Sequence, residues 1–233
     1  MSQPVTFTVA GALRGARGVL PIVPGALAFG LVYGFLAGQK GMTALEIGLS
    51  SALVFAGASQ FLALELWGDP LPLLSLVAGV LVINLRHALM GPALLPWLLP
   101  ISRPKAYVSL YFMTDESWGV SVADLRAGGR DAAFLLGAGA ALWLVWVSSS
   151  VLGRLAGDVS YLIEDWGLDY LTTAFFVALL AAFWRGRHDL LPWTVAAVVA
   201  VATKSLLPGT WYIVLGALAG SLAGAWVAIR GRP

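Results

Sequence analysis

Cysteine is absent from the 233 residues, which excludes disulfides, thiolate metal sites and a cysteine nucleophile. Charge is scarce too: Asp, Glu, Lys and Arg make up 11% of the chain, against roughly 25% in soluble domains. Two histidines without thiolates are too few and too badly spaced for a haem or zinc site, so no metal or cofactor is expected. No G-x-x-x-x-G-K-S/T phosphate loop, H-E-x-x-H or G-x-S-x-G occurs. The chain therefore does not itself hydrolyse ATP through such a loop, and no enzyme activity is expected of it. Its basic residues are dispersed among apolar segments rather than clustered, which argues against nucleic acid as a partner.

What is present is apolar. Hydrophobic residues make up 59% of the chain, well above the roughly 45–50% of ordinary domains. Residues 18–39, 47–64, 70–85, 87–102, 132–153, 170–184, 190–203 and 205–229 carry no charge, and a ninth, weaker segment, 106–122, holds Asp115 and Glu116 near its middle. Backbone groups in hydrocarbon must be satisfied within the segment, and no barrel-like alternation is visible, so the segments are helices. The expected fold is an all-α, polytopic integral membrane bundle. It forms a single transmembrane domain over residues 1–233, with about six to eight membrane segments, some broken or re-entrant. The first apolar run reads as retained structure, not as a signal peptide.

Lys and Arg placement orients the chain. If every segment crosses, both termini are cytoplasmic, with Arg14, Arg17, Arg126, Arg130, Arg185, Arg187, Arg230 and Arg232 inside. If the first segment and 106–122 are re-entrant, Lys40, Arg103 and Lys105 move inside as well, which fits the rule better. Both arrangements put the acidic loop 158–169 outside. Residues 49–61 (LSSALVFAGASQF) resemble 171–183 (LTTAFFVALLAAF), and the loops that follow carry opposite charge. An inverted repeat with halves 18–122 and 131–229 is one reading; shared Ala-rich composition is the other.

Four places could carry chemistry. Pro21 and Pro24 remove backbone donors and, with Gly25, interrupt the first segment, so that a half-helix could aim its N–H groups and positive dipole end at a carboxylate; a packing kink is the alternative. Gln60 stands one turn after Gly57 on an otherwise apolar helix and must face a cavity or another helix. Arg86 sits deep in an apolar stretch between Asn84 and His87, where insertion costs roughly 3 kcal/mol. Pro92 is expected to break this helix over residues 88–92 and free backbone groups beside them; snorkelling of Arg86 to the surface is the bland reading. Asp115 is the candidate counter-charge for Arg86, leaving Glu116 to change protonation, unless both acids are simply solvated. Two glycine zippers, Gly30-x3-Gly34-x3-Gly38 and Gly216-x3-Gly220-x3-Gly224, would each face a helix of this chain or of another, a homo-oligomer included.

Together, Pro-x-x-Pro-Gly (residues 21–25), Phe-Ala-Gly-Ala-Ser-Gln-Phe (55–61), Asn-Leu-Arg-His (84–87) and Thr-Asp-Glu (114–116) resemble the AzlC family, large subunits of two-component bacterial branched-chain amino acid exporters. The resemblance covers about residues 14–232, with its distinctive motifs in the first half. It implies a multi-pass permease of the bacterial cytoplasmic (inner) membrane that exports leucine, isoleucine, valine and also methionine with a small AzlD-type membrane subunit. A zwitterion with a branched side chain needs a cation or dipole, an acceptor and a dry wall. Arg86 and the broken first helix at Pro24 and Gly25 suit the carboxylate, with Gln60, Asn84 and His87 nearby. Asp115 or Glu116 suits the ammonium or a coupling proton, and Phe29 and Phe61 suit the wall. The rival reading is a non-transporting scaffold or assembly subunit in which buried charge only specifies packing.

Overall fold

A computed structural model describes residues 4–68, 70–157, 177, 186–207 and 211–230. The acidic loop 158–169 and the second copy of the repeat, 171–183 apart from residue 177, lie outside the described residues. The described chain is helical, and only one isolated bridge, Thr6 with Asp131, interrupts that description. It divides into two compact units, Met1–Phe61 with Arg86–Leu162, and Leu62–Leu85 with Ile163–Pro233.

The first unit is built around α9 (Ala133–Gly157), 25 residues and about 37 Å long, enough to cross a hydrocarbon core of about 30 Å. Helix α1 (Val9–Gly18) meets the first two turns of α9 through glycines. A β-carbon on Gly15 would overlap the Phe134 carbonyl, and one on Gly137 would overlap that of Ala12. Helix α2 (Val23–Gln39) departs from α1 at 75° and packs along α9 through the first zipper. Gly30 meets Ser149, Gly34 meets Ser150 and Gly38 meets Arg154, so the two helices run in the same direction. The partner of this zipper is thus the chain's own Ser- and Gly-rich face. Helices α3 (Ala44–Val54), α4 (Gly57–Glu65), α7 (Arg103–Tyr111) and α8 (Asp115–Arg126) are all too short to span alone.

Helix α5 (Leu73–Met90) does not unwind at Pro92, contrary to the expected break over residues 88–92. It tightens into one 3₁₀ turn, Gly91–Leu94, and continues into α6 (Leu95–Leu98). Pro92 stands at the start of that turn, where a missing N–H is tolerated. In the second unit, α10 (Leu190–Leu206) and α11 (Trp211–Arg230) form a hairpin, and the second zipper faces Ala200, Ala196 and Pro192 in turn. Neither zipper therefore calls for a second copy. Among the described residues, Leu73–Leu98 and Ala133–Gly157 are long and apolar enough to cross a bilayer, and the bent α1–α2 pair adds a third crossing if counted as one. Ala44–Val54, Leu190–Leu206 and Leu215–Val227 are apolar helices too short to span alone.

Asp131 ties the N-terminal segment to the start of α9. Its carboxylate accepts from the Thr8 N–H (3.1 Å), the Thr8 hydroxyl (2.5 Å) and the Ala133 N–H (3.1 Å). Burial pushes this carboxyl up, but the bonds from Thr8 and Ala133, with Thr6, outweigh burial and hold it below the usual carboxylate range. A depressed folded value adds stability above the unfolded value of about 3.9 and loses it as pH falls through the folded one. Asp131→Asn is expected to cost about 1 kcal/mol at pH 7 and progressively less as pH falls below the unfolded carboxyl value of about 3.9, read as thermal midpoints of the two proteins.

Candidate functional site

Two helical interruptions in the first unit meet α9 at Trp143 and Gly139, just before its midpoint, Val145. Between α3 and α4, Phe55 adopts a left-handed backbone (φ 42°), rare and strained for an aromatic residue. The carbonyl of Ala52, set loose by this break, accepts from the Trp143 indole N–H (3.0 Å) and the Tyr111 hydroxyl. Between α7 and α8, the Phe112 ring lies 6.0 Å from Trp143, and the Phe112 carbonyl presses on Gly139. The break between α1 and α2 lies nearer the start of α9, because Gly18, just before it, meets the Phe134 ring. Discontinuous helices that meet at mid-depth are the usual setting for a transport site.

Gln60 is 3% exposed and fully engaged by protein. Its Nε2 donates to Ser50 Oγ (3.1 Å) and Ser51 Oγ (3.4 Å), and its Oε1 accepts from the Trp146 indole (2.9 Å). Phe61 lies in the same cluster, 5.7 Å from the Tyr33 ring and 6.5 Å from Trp146, while the Tyr33 hydroxyl and Ser50 Oγ share a bond of 3.1 Å. This knot joins α2, α3, α4 and α9. Gln60→Leu leaves the Trp146 N–H without an acceptor in a dry place, so we expect a loss of about 2 kcal/mol in thermal unfolding.

The charged part of the site lies on the following elements. Arg86 Nη1 donates to Asp115 Oδ2, and the side chains are 38% and 39% exposed. Thr114 caps α8: its hydroxyl accepts from the Ser117 N–H, and the Ser117 hydroxyl accepts from the Thr114 N–H. That cap fixes Asp115 in the first turn, where the helix dipole favours negative charge. Trp118, one turn further on, donates its indole N–H to the Met90 carbonyl (2.9 Å) and holds α8 against the end of α5. The Arg86 Nε–H is buried and has no acceptor. A buried guanidinium donor left open beside its occupied counterpart is a cost of about 1–3 kcal/mol that an incoming oxygen would remove.

The other sequence candidates lie on α2, α5 and α8. Pro24 and Gly25 are exposed at the start of α2, and Phe29 is half-buried further along it. Glu116 is exposed next to Asp115, and His87 is half-buried next to Arg86. Asn84 is half-buried and spends an amide N–H on the Val80 carbonyl of its own helix (2.9 Å). Among the described residues, no group of His, Asp and Glu could hold a metal ion. Trp118, Trp146 and the helix break at Phe55 did not stand out in the sequence. The only trace of the first two was an indole N–H placed among apolar neighbours, where lipid offers it no acceptor.

A family model described as AzlC protein matches residues 21–159. An uncharacterised membrane protein of Archaeoglobus fulgidus is 33% identical over 208 residues, 88% of this chain and 90% of that one. The inner membrane protein YgaZ of Escherichia coli is 26% identical over 90% of this chain and 88% of its own length. The branched-chain amino acid transport protein AzlC of Bacillus subtilis is 27% identical over 86% and 78%. No solved structure matches the chain significantly.

Proposed function

Because the chain belongs to the AzlC family of membrane proteins, we propose that it is the large subunit of an exporter of branched-chain amino acids, leucine, isoleucine, valine and also methionine. The observation that carries this reading is the Arg86–Asp115 pair, formed where α8 opens beside the last turns of α5, with the buried Arg86 Nε–H still open. An α-amino acid presents the same two charges at fixed spacing. Its carboxylate takes the guanidinium fork of Arg86, Nε included, and its ammonium takes Asp115, so the protein's own ion pair is exchanged for two new ones. The exchange conserves net charge, which keeps a zwitterion from paying the full desolvation cost of mid-membrane binding.

Phe29 supplies the apolar wall, and the dipole of α2 at Pro24 and Gly25 adds positive potential on the carboxylate side. Gln60 and Phe61 position α4 against α9 rather than touch the cargo. His87 borders the guanidinium, and Glu116, open to solvent next to Asp115, carries the coupling proton. Access alternates as the half-helices rock against α9. The E. coli relative's name gives an inner-membrane location, which we assign to this chain together with a small AzlD-type subunit. No reaction is catalysed.

Proteoliposomes holding the chain with its candidate small partner test the proposal. Radiolabelled valine should cross at a rate that saturates and responds to a pH gradient. Flux no faster than in empty vesicles, with the pair correctly inserted, would leave the scaffold reading in its place.

A further inference from the structure

A second charged site stands at the end of α9 and is unrelated to the transport pair. Arg14, Arg17, Arg130, Asp131, Thr6 and Leu13 line an open cavity of about 400 Å³ where α1 crosses the start of α9. Arg130 and Asp131 immediately precede the apolar run of a membrane-crossing helix, so the cavity lies at the level of lipid headgroups. Helix α1 is turned 75° from α2 and pinned to α9 by Gly11 and Gly15. A helix turned so far from a neighbour that enters the bilayer would run along the membrane surface. Its outer side exposes Val9 and Leu13, 78% and 52%, next to the arginines, the pattern of an interfacial helix.

Charge in the cavity is lopsided. Asp131 spends its oxygens on Thr8 and Ala133. Arg14 reaches Asp124 at 3.3 Å and stacks over the Phe134 ring, which fixes its guanidinium at the rim. Even with Asp124 counted, three guanidinium groups face two carboxylates. The ion pair, the Phe134 stacking and the Thr6–Asp131 bridge also put Arg14, Arg17 and Arg130 at one end of α9, and Arg154 at the other. That is the asymmetry expected of a cytoplasmic face.

We infer that this corner binds a phosphate-bearing anion: guanidinium groups take its oxygens, and in a lipid the acyl chain leaves over Leu13. A lipid headgroup and free phosphate share that chemistry, and lipid is the source favoured by the apolar edge. The full chain in nanodiscs of phosphatidylglycerol or phosphatidylcholine, and in detergent with inorganic phosphate, separates them. Phosphatidylglycerol should be retained through delipidation about fivefold better than phosphatidylcholine for each arginine engaged. Arg17→Gln should remove about one such factor, and 0.5 M salt should weaken retention in the unaltered protein. Saturable retention of phosphate with no preference between the lipids supports the site with free anion as its ligand. Equal retention of both lipids and no phosphate binding, in folded wild-type and Arg17→Gln protein alike, overturns it.

Discussion

Arg86→Gln is expected to lower valine flux at subsaturating concentration by about 100-fold, because the cargo's carboxylate then loses the charge-assisted bonds of the guanidinium fork, worth about 3 kcal/mol. Arg86→Lys keeps the charge but loses the fork and the Nε–H, so a loss of about tenfold is expected. The informative protein is the double replacement Arg86→Gln with Asp115→Asn. A neutral pair removes the orphaned charge, so the thermal midpoint should recover most of what Arg86→Gln alone loses. Flux should stay low, because the zwitterion then meets neither charge. A scaffold would behave in the opposite way, with function following stability.

Gly34→Leu is expected to abolish the folded protein. A β-carbon at Gly34 would overlap the Ser150 carbonyl, and backbone cannot rotate away as a side chain can. The α2–α9 contact would have to open over the neighbouring Gly30 and Gly38 positions, at a cost above about 3 kcal/mol, and inserted protein should be degraded or lost on extraction. Gly119→Ala is the control. Nothing lies within 4 Å of its β-carbon, and the site is in the middle of α8, so a gain of about 0.5–1 kcal/mol is expected. Size-exclusion profiles of the two proteins in detergent make the comparison.

Charge in apolar surroundings is legible because its cost is large and a partner is obligatory. Arg86 had one good candidate partner, Asp115, and the two meet. Paired prolines were legible as well: the 75° turn falls over residues 19–22, beside Pro21 and just before Pro24. Pro92 misled, because one 3₁₀ turn absorbs a proline, and the carbonyl just before that turn, Met90, takes a bond from Trp118. The break at Phe55 had only a weak local signal, Gly57 at the start of α4. What stabilises it is distant in sequence, the Tyr111 hydroxyl and the Trp143 indole on the Ala52 carbonyl. Gln60 could be read as buried and polar, but its partners, Ser50, Ser51 and Trp146, depend on how three helices meet. Helix α1 was hidden for a different reason, since its arginines and glycines dilute the apolar signal by which membrane helices are read.

Equilibrium binding of valine and two truncated analogues to the purified protein tests the two-charge site most directly. Isobutylamine lacks the carboxylate and 3-methylbutanoate lacks the ammonium, while the branched side chain is the same. If Arg86 and Asp115 each hold one end of the cargo, both analogues bind at least about 30-fold more weakly than valine. Either analogue binding as tightly as valine would contradict the account.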